Sequence, residues 1–152
     1  MTDTVDAATR SRMMSGIKGK NTKPELILRR YLHRRGFRYR IHRKDLPGNP
    51  DLVLASYRLA VFVHGCFWHR HEDCFYASVP TTRPEFWQKK FAGNVERDGR
   101  HISQLILKGW RVLIVWECGL NILVDDMQEI VALIGSELNF MVWPEIAPRT
   151  KK

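Results

Sequence analysis

Residues 46–74 read LPGNPDLVLASYRLAVFVHGCFWHRHEDC, and the change of character along this stretch decides the fold. It opens on a turn cluster, Leu46-Pro47-Gly48-Asn49-Pro50, where Pro fixes φ and Gly frees it as the chain reverses. Two short apolar runs follow, Asp51 to Ala55 and Leu59 to Val63, which predict two strands joined across Ser56-Tyr57-Arg58. The second run ends on His64-Gly65-Cys66-Phe67-Trp68-His69-Arg70-His71-Glu72-Asp73-Cys74. A carboxylate, three imidazoles, two thiols and two large rings so close together are more coordinating chemistry than a core requires.

Working outward, Thr22 to Gly36 carries consistent helix signals. Thr22 stands at the N-cap, Pro24 in the first turn and Glu25 at the capping-box position. Leu26, Ile27, Leu28, Tyr31 and Leu32 give an apolar side, and Gly36 terminates. Phe37 to His42 alternates apolar and polar, as a half-buried strand does. Downstream, Pro84 opens a helical stretch to Leu107 with Phe86, Trp87, Phe91, Val95, Ile102, Leu105 and Ile106 as candidate buried positions. Gly93 and Gly99 each cost about 1 kcal/mol there against Ala, which makes either a candidate position for a break in this stretch. Trp110 to Trp116 is nearly continuously apolar, hence a central strand covered on both faces. An amphipathic helix over about 125–138 precedes a basic tail. The expected architecture is α/β, one central mixed sheet flanked by helices. It divides into an N-terminal arm (1–21), a main domain (22–138) and a C-terminal tail (139–152).

At 152 residues the chain is one domain with room for a genuine core. Its net charge of +9 is unevenly placed: residues 1–50 hold 13 Lys and Arg against 4 Asp and Glu, and the remainder balances 12 against 12. Clustered cations gain free energy by displacing counterions from a polyanion, so this third of the chain points to nucleic acid, although a solvated basic face has the same composition. In the arm, Met14 and Ile17 are large apolar residues three apart, the pattern of a minor-groove wedge or of a segment packed on the domain. No apolar run is long enough for a membrane span. Three cysteines cannot all pair within one chain, which favours a reducing cytosol and metal ligation over disulfides.

The chemistry falls into three groups. Cys66, His71 and Cys74 have the spacing C-x4-H-x2-C, and Cys118 follows the apolar strand, so four ligands suit a closed structural Zn²⁺ site; His69 is the alternative nitrogen ligand. Asp51, at a strand start beside a Pro turn, is placed to hold Mg²⁺ through hard oxygens, with Glu25, His64 and His69 as its company. Such a set supplies the two things phosphodiester hydrolysis needs, charge stabilisation and a base for water. Phe67, Trp68 and Trp87 form the third group, rings able to stack on or wedge between bases.

Five words carry a family resemblance: Pro50-Asp51; His64-Gly65-Cys66-Phe67-Trp68-His69; Pro80 to Trp87; Asn94-Val95-Glu96-Arg97-Asp98; and Gly109 to Cys118. In this order they closely resemble the very-short-patch repair (Vsr) mismatch endonucleases over about residues 7–120. The resemblance implies a restriction-endonuclease-like fold and a Mg²⁺-dependent nick in double-stranded DNA beside a T:G mismatch left by deamination of 5-methylcytosine. It implies that Asp51 and the carbonyl of Val63 bind Mg²⁺, that His69 is the general base, and that Glu25 and His64 support the metal's waters. Zn²⁺ would sit on Cys66, His71, Cys74 and Cys118. Phe67, Trp68 and Trp87 would enter from the major-groove side, and Met14 and Ile17 from the minor groove. Val63 stands where the family has Thr, and the Cys66–Cys74 loop is one residue longer. A monomer assisted by mismatch-repair proteins is the expected working form. A restriction-type or less selective nuclease, or a non-catalytic zinc-containing DNA-binding module, would share many of these features.

Overall fold

The computed structural model describes residues 21–148; Met14 and Ile17, and with them the expected arm, lie outside the described residues. Helix α1 (Lys23–Arg34) is followed by strands β1 (Arg40–Ile41), β2 (Leu52–Leu54) and β3 (Leu59–His64). The long helix α2 (Pro84–Leu107), strand β4 (Arg111–Trp116), helices α3 (Glu117–Ile122) and α4 (Gln128–Ile134) and strand β5 (Phe140–Trp143) complete the order. The sheet runs β1-β2-β3-β4-β5. β1–β2 and β2–β3 are antiparallel hairpin neighbours, whereas β3–β4 and β4–β5 are parallel, so the sheet is mixed as expected.

Alternation along each strand divides the core into two layers. Leu52, Leu54, Leu59, Val61, Leu113, Val115, Met141 and Trp143 face one side, where Leu28 and Leu32 of α1 and Ile130 and Ile134 of α4 cover them. Val53, Ala60, Phe62, Val112 and Ile114 face the other, against Leu105 and Ile102 of α2. β4 is buried along Val112 to Val115, in keeping with its unbroken apolar run.

Four expectations are corrected. The strand over 37–42 shrinks to Arg40–Ile41, because His42 turns into the left-handed region at φ 50° while Phe37 packs against Tyr57 instead of pairing. α2 runs unbroken through Gly93 and Gly99, and Phe86, Val95 and Ile106 are exposed and not buried. The helix expected over 125–138 is a 3-10 turn at Val124–Asp126 followed by α4, and α3 precedes both. Residues 140–143 of the supposed tail form β5, which completes the sheet against β4.

Arg111 locks this C-terminal part to the sheet. Its guanidinium donates to the carbonyls of Leu133 (3.2 Å), Ile134 (3.0 Å), Ser136 (2.7 Å) and Leu138 (2.8 Å). A cation thus satisfies the carbonyls left open at the end of α4.

Candidate active site and metal centre

Three structural accidents of the sequence converge at the C-terminal end of β3: the Pro turn before β2, the loop after β3, and one face of α2. They enclose a cleft of about 960 Å³ lined by residues including Glu25, Asp51, His64, His69 and Asp98. The turn is held close to α2 at Gly48, whose φ of 78° favours glycine and where a Cβ would meet His101 at 3.0 Å.

Asp51 stands just before β2, and its Oδ2 accepts the backbone N–H of Val63 at 2.7 Å across the hairpin. Burial pushes this carboxyl up to about 7; the Val63 N–H pulls against the shift and the neighbouring Glu25 adds to it. Glu25 reaches the same place from the first turn of α1 and is 2 % exposed. Its Oε2 accepts the N–H of Asn21 (2.6 Å) and Arg29 Nη2 (2.8 Å), and its Oε1 meets His42 Nε2 at 2.9 Å. The capping arrangement therefore differs from the expected one: Thr22 occupies the N-cap without a side-chain bond, and Glu25 serves the residue before it.

In the same cleft, His69 Nδ1 lies 2.6 Å from Asp98 Oδ2 on α2. His64, at the end of β3, stacks on His69 with centroids 3.9 Å apart and planes 5° from parallel. Burial, reinforced by His69, drives the His64 pKa down to about 3, so it stays neutral. With Asp98 on Nδ1, the imidazole of His69 is held in one orientation with Nε2 as its remaining nitrogen.

Behind this pair lies the thiol cluster. Cys66, His71, Cys74 and Cys118 are all buried, and one donor atom from each lies within 4.8 Å of the others. His71 Nδ1 is 3.6 Å from Cys66 Sγ and 3.4 Å from Cys118 Sγ. His71, and not His69, thus joins the cysteines. The Cys118 thiol and burial push the Cys66 thiol far above its ordinary value, so Cys66 keeps its proton in this cluster unless a cation draws it off. Soft donors, tetrahedral number and full enclosure fit Zn²⁺. Trp116 connects the two sites: its ring stacks on His71 at 4.1 Å and meets His64 edge-on at 5.2 Å.

Phe67, Trp68 and Trp87 form one half-buried ring cluster over Phe91, with centroid spacings of 5.1 Å (Phe67–Trp68), 5.6 Å (Phe67–Trp87) and 5.1 Å (Phe67–Phe91). Asn94 Nδ2 donates to the Trp68 carbonyl at 3.0 Å. Arg70 ties the loop by donating to the carbonyls of Phe67, Ala77 and Ser78, with its guanidinium over Phe91. The rings are neither sealed in the core nor free.

Sequence reasoning gave no role to Asp98, His42, Arg29 or Glu117, whose Oε1 accepts the Cys66 N–H at 3.1 Å. Asp98 had a signal: it follows Asn94 by one helical turn, on the α2 face that meets the loop. His42 had none, since alternation placed it on a strand.

The family profile described as DNA mismatch endonuclease Vsr matches residues 2–75. The DNA mismatch endonuclease Vsr of Escherichia coli is 50 % identical over 121 residues, covering 80 % of this chain and 77 % of that protein. The type II nicking enzyme V.XorIIP of Xanthomonas oryzae is 46 % identical over 121 residues, covering 80 % and 88 %. Among solved structures, the catalytic domain of homing endonuclease I-Bth0305I matches with a TM-score of 0.52 and 24 % identity, covering 76 % of this chain and all of that one, a likeness of fold. The chain belongs to the Vsr family of DNA mismatch endonucleases.

Proposed function

We propose that this DNA endonuclease nicks one strand of a duplex beside a T:G mismatch, in a Mg²⁺-dependent hydrolysis in the bacterial cytosol. The observation that carries the reading is that the Glu25–Asp51 carboxylates and the His69–Asp98 pair line one cleft. Hydrolysis of a phosphodiester needs positive charge on one side of the phosphorus and a base for water on the other, and this cleft offers a donor set for each.

In this reading Asp51 and the Val63 carbonyl hold Mg²⁺, Glu25 and His64 support it, and when bound the ion offsets the negative charge that builds on the phosphate. Because only the main-chain carbonyl of residue 63 is used, Val in place of Thr leaves the site intact. His69 takes a proton from the attacking water at Nε2, and Asp98 stabilises the imidazolium that results. His64 stays neutral against its face, adding no charge that would oppose that protonation. Zn²⁺ on Cys66, His71, Cys74 and Cys118 fixes the loop carrying His69, Phe67 and Trp68 to the end of β4. Phe67, Trp68 and Trp87 enter the stack from the major-groove side and Met14 and Ile17 from the minor groove, so a weakly stacked T:G step opens at lower cost than a matched one. The basic first third supplies phosphate contacts. We read the working form as a monomer, with mismatch-repair proteins as its partners.

Several relatives are type II nicking enzymes, V.XorIIP among them, and for this chain a less selective nick is the second reading. Duplexes that differ only in carrying T:G or T:A at one position separate the two. The proposal expects a nick on the T:G duplex alone; equal cutting of both would leave the nuclease and remove the mismatch.

A further inference from the structure

The carboxylate pair has a third neighbour that the proposed reaction does not use. His42 follows β1 with φ 50°, and its backbone N–H donates to the Asp51 carbonyl at 3.2 Å. This turn carries the ring inward, leaving its side chain 14 % exposed. The oxygens of Glu25 divide their work: Oε2 takes Asn21 and Arg29, while Oε1 faces His42 Nε2 at 2.9 Å. One donor atom each from Glu25, His42 and Asp51 lies within 4.8 Å of the other two. An octahedral ion with bonds of about 2.1 Å sets neighbouring ligands about 3.0 Å apart and opposite ones about 4.2 Å apart. His42 Nε2 and Glu25 Oε1, 2.9 Å apart, already stand at the spacing of neighbouring ligands, and the Asp51 carboxylate lies within 4.8 Å of both.

We infer that His42 is a nitrogen ligand of the metal site built on Asp51 and Glu25, so that the site holds a transition dication such as Mn²⁺ more tightly than the Mg²⁺ with which it works. The inference rests on the reading of Asp51 as the metal-holding carboxylate. Mg²⁺ keeps to oxygen and gives up water reluctantly, whereas Mn²⁺ and the later dications accept imidazole. Arg29 Nη2 donates to Oε2 of Glu25 at 2.8 Å and more weakly, at 3.3 Å, to His42 Nε2, so an ion takes the Nε2 lone pair and Oε1 once that guanidinium turns wholly to Oε2. Two carboxylates and one guanidinium carry one net negative charge. A dication turns that to one positive, the complement of a single phosphate.

The test uses the zinc-loaded full chain and Mn²⁺, which does not displace zinc from thiolates. Electron paramagnetic resonance counts bound Mn²⁺ in competition with Mg²⁺, and its pulsed form detects a coordinated histidine nitrogen without any need for DNA. The wild type should bind Mn²⁺ about tenfold or more tightly than Mg²⁺ and show nitrogen coupling. His42→Gln, which keeps a hydrogen bond to Glu25, should lose the coupling and about tenfold in Mn²⁺ affinity, with Mg²⁺ affinity nearly unchanged. Bound Mn²⁺ without nitrogen coupling in the wild type overturns the inference even if the variant does not fold. Coupling that survives in the variant assigns the nitrogen to His64 or His69 and also overturns it. Either result leaves metal-dependent nicking standing; a zinc-loaded wild type that binds no Mn²⁺ at all overturns both.

Discussion

Replacing Asp51 with Asn should make the protein more stable while abolishing its activity, and the gain should grow with pH. The carboxyl titrates at about 7 in the fold against an ordinary value of 3.8, because burial and Glu25 disfavour its charge. A folded-state value above the unfolded one means that the protonated group contributes stability below about pH 4, and that this contribution is lost as pH rises through about 7. At about 1.4 kcal/mol per unit, the charge costs the fold about 2 kcal/mol at pH 5.5 and on the order of 4 kcal/mol at pH 8. Asn carries no charge and still accepts the Val63 N–H, so Asp51→Asn escapes this cost. His64 pulls the wild-type curve the other way: its depressed value means stability is lost as pH falls below about 6.5. Both proteins share that term, and it cancels in the difference. Urea denaturation of zinc-loaded, Mg²⁺-free protein at the two pH values measures the gap. Adding Mg²⁺ at pH 8 should then stabilise the wild type and leave the variant unmoved. A gap that does not change with pH, or a variant less stable at both, would refute the reasoning.

His69→Ala should lose nicking while still binding a T:G duplex by gel shift, and Asp98→Asn should lower single-turnover nicking by about 10²–10⁴-fold with little change in binding, as expected for a general base and the group that orients it. Cys118→Ser should abolish retention of one equivalent of zinc, measured by elemental analysis, and should unfold the 64–83 loop, seen as rapid proteolysis there. Arg111→Leu strands the part-buried carbonyls of Ile134 and Ser136 and should cost about 2–4 kcal/mol, lowering Tm by roughly 5–12 °C in calorimetry without altering zinc content.

Much of the fold was legible because its strongest signals are local. Thr22, Pro24 and Gly36 bound a helix that forms within two residues of them, and Leu59 to Val63 is a strand by its own composition. β5 was not legible: Phe140-Met141-Val142-Trp143 is short, and only its parallel register with Val112 to Val115 makes it a strand. The same division holds at the site. Asp51, Cys66, His71 and Cys74 lie close together in the chain, so spacing reveals them. Asp98 and His42 are joined to their partners only through the approach of α2 to the loop and of β1 to α1. Glu25 was legible in two ways, at the capping-box position and as a second carboxylate beside Asp51, whereas its bonds to Asn21, Arg29 and His42 were not.

The central claim is that one cleft brings a metal-holding carboxylate and a general base to the same phosphate beside a mispaired step. Single-turnover cleavage of an end-labelled duplex with one T:G pair, by zinc-loaded protein in Mg²⁺, tests it most directly. The account predicts a single nick beside the mismatch for the wild type and none for Asp51→Asn or His69→Ala, although both variants hold the duplex. Nicking that persists in either variant, or that appears equally on the fully paired duplex, would contradict it.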